Sequence, residues 1–271
     1  MGSSGPILSI ITISRNSEAT IERTLRSVAD QEGIDPGAIE HWLIDGASKD
    51  QTLAIASRFP HVQVRSEADR GISDAFNKGI RAAKGQWILF LNSDDELADN
   101  RVLQDLLPKL DAKYDFVYGQ ISVVDPATNE LLRSGGKDCA WRFLHQRMTI
   151  PHPATFMNRS YVEKFGSFDE KFQIAMDYEL LLRGYSQAKF RFVPRVVNRF
   201  ALGGASTANR ALKQAYECYL AKRKNGTGNE ASRLFWLLYQ GARMSLEPVF
   251  TRLPGVGSAM KWLASTVDRG Y

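Results

Sequence analysis

The chain has 271 residues, of which 44% are hydrophobic and 24% are charged, and its formal net charge is +5. This composition is ordinary for a soluble globular protein and excludes a disordered or collagen-like chain. The basic excess is modest and scattered, so a nucleic-acid partner is not required and we expect none. Cys139 and Cys218 match no CxxC pattern, which argues against a zinc site or a disulfide framework and favours a reducing compartment.

The N-terminal residues do not have the basic start and long apolar core of a signal peptide. The apolar run Ile7–Ile13 is too short to span a bilayer and is typical of a first strand. We therefore expect a cytoplasmic protein.

Strand-like and helix-like patterns alternate along the first half of the chain. Strands are predicted at residues 7–13, 41–44, 62–66, 86–91 and 116–124, and helices at residues 19–30, 51–59, 71–83 and 101–110. This alternation predicts an α/β fold with a mostly parallel central sheet flanked by helices. The segment Ser14-Arg15-Asn16-Ser17 after the first strand is not glycine-rich, which disfavours a P-loop or a dinucleotide-binding protein.

Polar side chains follow the apolar run Trp87–Leu91, where Asn92, Ser93, Asp94 and Asp95 stand together. A run of this kind predicts a strand buried on both faces, and ligands bind at the carboxyl ends of such strands. Carboxylate oxygens there suit Mg²⁺ or Mn²⁺ holding the phosphates of a substrate. The alternative is a solvated turn that caps the next helix.

Two further carboxylates stand at comparable places. Asp45 follows the predicted strand His41–Ile44, and Asp177 opens a helix-compatible run. Turn formation and helix capping would explain each of them on its own. A transferase, however, needs one carboxylate that removes a proton from the attacking hydroxyl and is separate from those that bind metal.

Six motifs carry a family resemblance when they are taken in order. They are LSIITISRN, IDGASKDQT, EADRGISDAFNKGI, LNSDDE, HPATFMNRSYVEKFGSFDEKFQIAMDYELLLRG and FALGGAST. The chain resembles a family 2 glycosyltransferase with a GT-A fold, of the bacterial polysaccharide or colanic-acid-biosynthesis type, from about Ile7 to Thr207.

The resemblance implies a nucleotide pocket. Asp45 would contact the base, Ser14 and Asn16 would frame the same pocket, and Asp74 is a weaker candidate. Asn92 stands where many members carry the first Asp of an Asp-x-Asp motif, so it would contact the ribose or a water, with Ser93 beside it.

The resemblance also implies the metal and the base. Asp94 would ligate Mn²⁺ or Mg²⁺ with help from Asp95, and Asp177 would deprotonate the acceptor hydroxyl for a single, inverting displacement. Some members place a histidine ligand after the base, and this chain has no histidine there.

Further candidates lie on the acceptor side and in the following loop. His152 would contact the acceptor or the donor sugar, although a structural role is commoner for a lone histidine. Arg199 or Arg210 would assist the leaving group, and Gly203 and Gly204 would act as hinges or simply form a surface turn.

These considerations divide the chain into a GT-A domain at residues 1–209 and a helical extension at residues 210–271. Apolar residues 234–239 of the extension, next to Arg233, would lie at a membrane interface or pack against the core or a second subunit.

We therefore expect an inverting, metal-dependent glycosyltransferase that uses a nucleotide-sugar donor, in particular a UDP-sugar. The acceptor would be a glycan hydroxyl on a lipid-linked intermediate of surface polysaccharide, and the enzyme would be peripheral at the cytoplasmic face of the inner membrane. The alternative is a non-catalytic nucleotide- or carbohydrate-binding module. A nucleotidyltransferase is disfavoured because the glycine-rich loop is missing.

Overall fold

The computed structural model describes residues 5–125, 127–138, 140–201 and 211–239. Within them the strands are β1 (Leu8–Ser14), β2 (Ile39–Asp45), β3 (Val62–Ser66), β4 (Trp87–Phe90), β5 (Glu96–Leu97), β6 (Phe116–Val124), β7 (Leu131–Gly135), β8 (Thr155–Asn158) and β9 (Phe190–Ala201). The α-helices are α1 (Ile21–Ala29), α2 (Thr52–Ala56), α3 (Ile72–Ala82), α4 (Val102–Leu106), α5 (Arg159–Phe165), α6 (Met176–Arg183) and α7 (Ala211–Lys224).

One mixed sheet has the strand order β3-β2-β1-β4-β8-β6-β9-β5, and β7 pairs with β6. Its first four strands are parallel, whereas β8 runs antiparallel to both β4 and β6. The predicted α/β fold is confirmed, with the parallel arrangement confined to the first half and to the β6–β9 pair. Because β1, β2 and β4 are parallel, their carboxyl ends open at the same edge of the sheet.

The core lies on both faces of this sheet because successive side chains of a strand point to opposite faces. Trp87 and Leu89 of β4 pack towards α1 and α4, whereas Ile88 and Phe90 pack towards α3 and α6. The sequence Trp87–Leu91 is therefore buried on both faces, as predicted.

The end of one helix and one strand differ from the sequence pattern. The predicted helix at residues 101–110 ends at Leu106 and continues as a 3-10 turn at Leu107–Lys109, because Pro108 lacks the N–H that an α-helix needs. Strand β9 was not predicted because it contains Pro194, which is unusual inside a strand. The pairing register between β6 and β9 shifts near that proline.

The C-terminal segment begins with α7, which packs on α6, and residues 230–239 form a further helix. Ala215 and Ala221 of α7 are buried. Across the described ranges, no helix is both long enough and apolar enough to cross a bilayer.

Candidate active site

Hydrogen bonds join the loops that follow β1, β2 and β4. The backbone N–H of Asn16 donates to Ser48 Oγ at 2.8 Å, and Asn16 Oδ1 accepts from the N–H of Lys49 at 2.9 Å. The hydroxyls of Ser17 and Ser93 are 2.9 Å apart. The sequence-predicted residues Asn16 and Ser93 therefore lie at one edge of the sheet, which is where the strand order predicted a ligand crevice.

Asp45 is fully buried at the end of β2, and its carboxylate accepts four hydrogen bonds. The donors are the hydroxyls of Ser14 and Ser66, at 2.9 and 2.7 Å, together with the hydroxyl and the N–H of Ser48. Burial on its own would raise the pKa of Asp45, but these bonds outweigh it and hold the pKa below its usual value. The carboxylate is therefore ionised, and its acceptor positions are filled by the protein.

Two non-glycine residues in these loops adopt left-handed backbone conformations, Asn16 with φ of 52° and Ala47 with φ of 56°. Asn tolerates this region better than Ala does, because its side chain can bond to nearby backbone. Such conformations persist only where surrounding contacts enforce them, and they are concentrated at functional sites.

Asp94 and Asp95 follow β4 but differ in their surroundings. Asp95 is fully buried, and its oxygens accept from the Asn92 amide at 3.1 Å and from the Ala201 N–H at 3.2 Å. Asp94 is partly buried, and its own backbone N–H lowers its pKa in opposition to burial. Burial raises the pKa of both groups, and the charge of Asp94 raises that of Asp95 further.

Arg23 of α1 lies beside this pair and was not found from the sequence. Its guanidinium contacts the Asp94 carbonyl oxygen at 3.3 Å and Glu96 at 2.9 Å, and its charge lowers the pKa of Asp94 and Asp95. No motif marks Arg23. Only the position of α1 against the turn after β4 brings it here.

The described residues contain no group of three or more His, Cys, Asp or Glu side chains that could hold a metal ion. A hard cation such as Mg²⁺ is commonly bound by one or two carboxylates together with substrate phosphates. Asp94 fits that role because its carboxylate is partly buried and accepts no hydrogen bond from another side chain of the described residues, whereas Asp95 is engaged with Asn92 and Ala201. This arrangement fits a cation shared with a diphosphate.

Asp177, the second residue of α6, lies close to His152. Burial raises the pKa of Asp177, while the charge of His152 lowers it; burial lowers the pKa of His152, while Asp177 raises it. The His152 ring stacks on Phe90, the last residue of β4, with the centroids 5.1 Å apart. His152 thus connects the predicted base to the strand that leads to Asp94.

Two other predicted site residues have partners elsewhere, and three lie outside the described residues. Asp74 is buried on α3 and is 3.5 Å from Lys78 Nζ. Arg199 donates to Asn129 in the β6–β7 hairpin, at 2.6 Å from its Oδ1. Gly203, Gly204 and Arg210 lie outside the described residues.

Comparison with known proteins gives the family. The model described as "Glycosyl transferase family 2" matches residues 9–171. An uncharacterized glycosyltransferase of Mycobacterium tuberculosis strain H37Rv is 35% identical over 190 residues, covering 66% of this chain and 69% of its own. A PGL/p-HBAD biosynthesis glycosyltransferase of Mycobacterium bovis BCG is 31% identical over 202 residues, covering 72% of this chain and 73% of its own.

Solved structures share the fold. TarS residues 1–349 of S. aureus in complex with UDP align with a TM-score of 0.65 at 19% identity, covering 87% of this chain and 71% of that one. The mannosyltransferase PcManGT of Pyrobaculum calidifontis, in complex with GDP-Man and Mn²⁺, aligns with a TM-score of 0.63 at 17% identity, covering 97% and 76%. The predicted GT-A fold is confirmed. Since the family model matches more than half of its length, the chain belongs to glycosyl transferase family 2.

Proposed function

We propose that this glycosyltransferase moves a sugar from a nucleoside diphosphate donor, a UDP-sugar, to a glycan hydroxyl with inversion at the anomeric carbon. One observation carries the proposal: Asp94 and Asp177 form two separate acidic centres joined through His152 and Phe90. A single-displacement transferase needs this separation, because one carboxylate serves the leaving group and another serves the nucleophile.

Asp177 acts as the general base in this proposal. Its raised pKa brings it closer to the range in which a carboxylate removes protons efficiently. Asp94 would hold a divalent Mn²⁺ or Mg²⁺, which would supply positive charge to stabilise the departing diphosphate. Arg23 adds a fixed positive charge at the same edge.

The serine-rich loops form the nucleotide side. Asp45 shapes this pocket by fixing the hydroxyls of Ser14, Ser48 and Ser66, and Asn16 braces the loop after β2. A direct bond from Asp45 to the base requires one of these donors to yield its acceptor position. In this proposal Asn92 and Ser93 contact the ribose. Asp74 stabilises α3 through its ion pair with Lys78.

Named relatives support the substrate class. A curated relative acts in PGL/p-HBAD biosynthesis, and another, 36% identical over 110 residues, is a succinoglycan biosynthesis protein of Rhizobium meliloti. TarS has been solved with UDP-GlcNAc. We infer a UDP-sugar donor and a lipid-linked glycan acceptor in surface polysaccharide synthesis.

Titration calorimetry with UDP, GDP, dTDP and their sugars, with and without Mn²⁺, tests the donor side. We expect one nucleotide to bind more tightly with Mn²⁺. Asp94→Ala should remove the metal-dependent part, while Asp111→Ala, a control whose side chain is 43% exposed, should keep it. Nucleotide binding that does not depend on Mn²⁺ in either the wild-type protein or Asp94→Ala would contradict the role of Asp94. Donor binding without transfer to any glycan acceptor would favour a non-catalytic binding module.

We also propose a peripheral contact with the cytoplasmic face of the membrane. Leu234, Phe235 and Leu238 are 43, 61 and 70% exposed on the helix at residues 230–239. Exposed apolar side chains on a helix insert into the headgroup region of a bilayer. The triple substitution of these residues by Ser is expected to abolish co-sedimentation with anionic liposomes; unchanged co-sedimentation would refute the contact.

A further inference from the structure

A carboxylate from α7 lies beneath the start of α6. Glu217 is 4% exposed, and its Oε2 accepts hydrogen bonds from three consecutive backbone N–H groups. The distances are 3.0 Å to Gln173, 2.8 Å to Ile174 and 2.9 Å to Ala175. Successive N–H groups that converge on one point form an anion-binding concavity, and a carboxylate is a strong acceptor for them.

These three residues lead directly into the base. Ala175 is the N-cap of α6, and Asp177 is the second residue of that helix. On the other side, the Ser73 hydroxyl of α3 donates to the Phe172 carbonyl oxygen at 2.6 Å. The turn before Asp177 is therefore fixed from two helices, α3 and α7.

We propose that Glu217 is a positioning residue for Asp177, because it fixes the turn from which the base projects. The assignment rests on the proposed function, in which Asp177 removes the acceptor proton. Helix α7 is then part of the catalytic unit, whereas the domain boundary predicted from the sequence lies before α7, at residue 209.

Glu217 has an electrostatic effect as well as a geometric one. Its charge raises the pKa of Asp177, whereas the charge of His152 lowers it, and the Cys218 thiol on α7 interacts with Asp177 as well. A substitution that keeps an acceptor oxygen but removes the charge separates the two effects. Glu217→Gln does this, and Glu217→Ala removes both.

Lys224 supplies a matched control at the other end of the α6–α7 contact. Its Nζ is 2.8 Å from Asp169 and 2.9 Å from Glu179, and no hydrogen bond joins it to residues 173–175 among the contacts of the described chain. Lys224→Met loosens the same pair of helices and removes no hydrogen bond to residues 173–175. It does remove a cation–π contact, because Lys224 Nζ lies 5.6 Å from the centroid of the Phe172 ring. A general loss of packing affects both variants, whereas loss of positioning affects only Glu217→Ala.

Steady-state kinetics with varied donor at saturating acceptor give the first test. We expect Glu217→Ala to lose roughly tenfold to hundredfold in kcat with an unchanged KM for the donor, because a small displacement of a catalytic group has effects of this size. Glu217→Gln should retain most of kcat, and the acid limb of its pH profile should move to lower pH. Lys224→Met should unfold at a lower temperature and keep its kcat.

Equal kcat in Glu217→Ala and Lys224→Met, measured where both are folded, would overturn the proposal. If Glu217→Ala does not fold, Glu217→Asp takes its place, because it keeps the charge but is too short to reach the three N–H groups in the same way. A kcat of Glu217→Asp equal to that of Lys224→Met then overturns the proposal. If the wild-type protein transfers no sugar from any nucleotide donor, the proposed function fails. Hydrogen exchange of the backbone amides then tests the contact between Glu217 and residues 173–175 independently. Faster exchange at residues 173–177 in Glu217→Ala than in Lys224→Met supports the contact, and equal exchange refutes it.

Discussion

At the scale of single residues, the carboxylates of the site owe their differences to their surroundings. Asp45 is buried, but hydrogen bonds hold its pKa below the usual value. Asp95 and Asp177 have raised pKa values, because burial is not fully compensated there. Groups with such contrasting environments divide acid-base and ligand-binding roles between them.

Asp177→Asn is expected to abolish transfer while leaving nucleotide affinity nearly intact. The amide keeps the size of the side chain but cannot accept a proton from the acceptor hydroxyl. Activity assays and donor calorimetry on the same preparation measure both. Loss of donor binding equal to that in Asp94→Ala would contradict the separation of the two centres.

In the proposed mechanism Asp177 must be unprotonated, so the acid limb of kcat/KM should report its pKa. His152→Gln should move this limb to higher pH, since the charge of His152 lowers the pKa of Asp177. A pH profile between pH 4 and 8 measures the shift. An unchanged limb in the folded variant would show that His152 does not face the base.

Asp45→Asn should destabilise the protein in a pH-dependent way. A carboxylate with a depressed pKa contributes stability above its ordinary value of 3.8, and this contribution is lost as the pH falls below that value. Urea unfolding at pH 7 should show a loss of about 1–3 kcal/mol. The difference from wild type should shrink near pH 3. The partly exposed control Asp111→Asn should change the free energy of unfolding at pH 7 by no more than about 0.5 kcal/mol.

At the scale of elements, the close approach of α3 to the sheet depends on Gly79. A Cβ atom there would lie 2.3 Å from Ile11 Cγ2 of β1. No side chain fits at that distance without movement of the helix or the strand. Gly79 therefore allows α3 to lie flat against the strand that ends at Ser14.

Gly79→Ala should lower the free energy of unfolding by about 1–3 kcal/mol, because it overpacks the α3–β1 contact. Ile11→Ala, which removes the opposing methyl group, should relieve part of that strain in the double variant. A double-mutant cycle by urea unfolding measures the coupling. Strict additivity would mean that the two residues do not meet.

The sequence predicted the elements whose signals are local and missed those that depend on distant partners. Strands β3 and β6 were predicted with their observed bounds, because each is a short apolar or alternating run between turn residues. Strand β8 was missed, since its four residues acquire strand geometry only by pairing with β4 and β6. Likewise, the motifs predicted Asp94 and Asp177, whereas Arg23 and Glu217 act through tertiary packing that no local pattern encodes.

At the scale of the whole molecule, α7 lies beyond residue 171, where the match to the family model ends, and packs on α6. It contributes the buried Ala215 and Ala221, and its polar contacts include Glu217 to the turn before α6 and Lys224 to Asp169 and Glu179. We propose that the folded catalytic unit extends through α7.

Two truncations test this boundary. A chain ending after Gly228 should keep the melting temperature and donor affinity of the full chain, because it retains α7. A chain ending after residue 209 should melt well below it or fail to fold, since buried apolar and charged partners are lost. Equal melting of both truncations would place the boundary before α7.

The three converging N–H groups that donate to the Glu217 carboxylate could also bind a small anion from solution. Truncation to Ala would leave an anion receptor of the right shape for one carboxylate, beside the first turn of α6. Acetate or formate should enter that space, and transfer by the Glu217→Ala variant should rise with their concentration to a plateau. A small diffusible anion would then replace the carboxylate that α7 supplies in the wild-type protein.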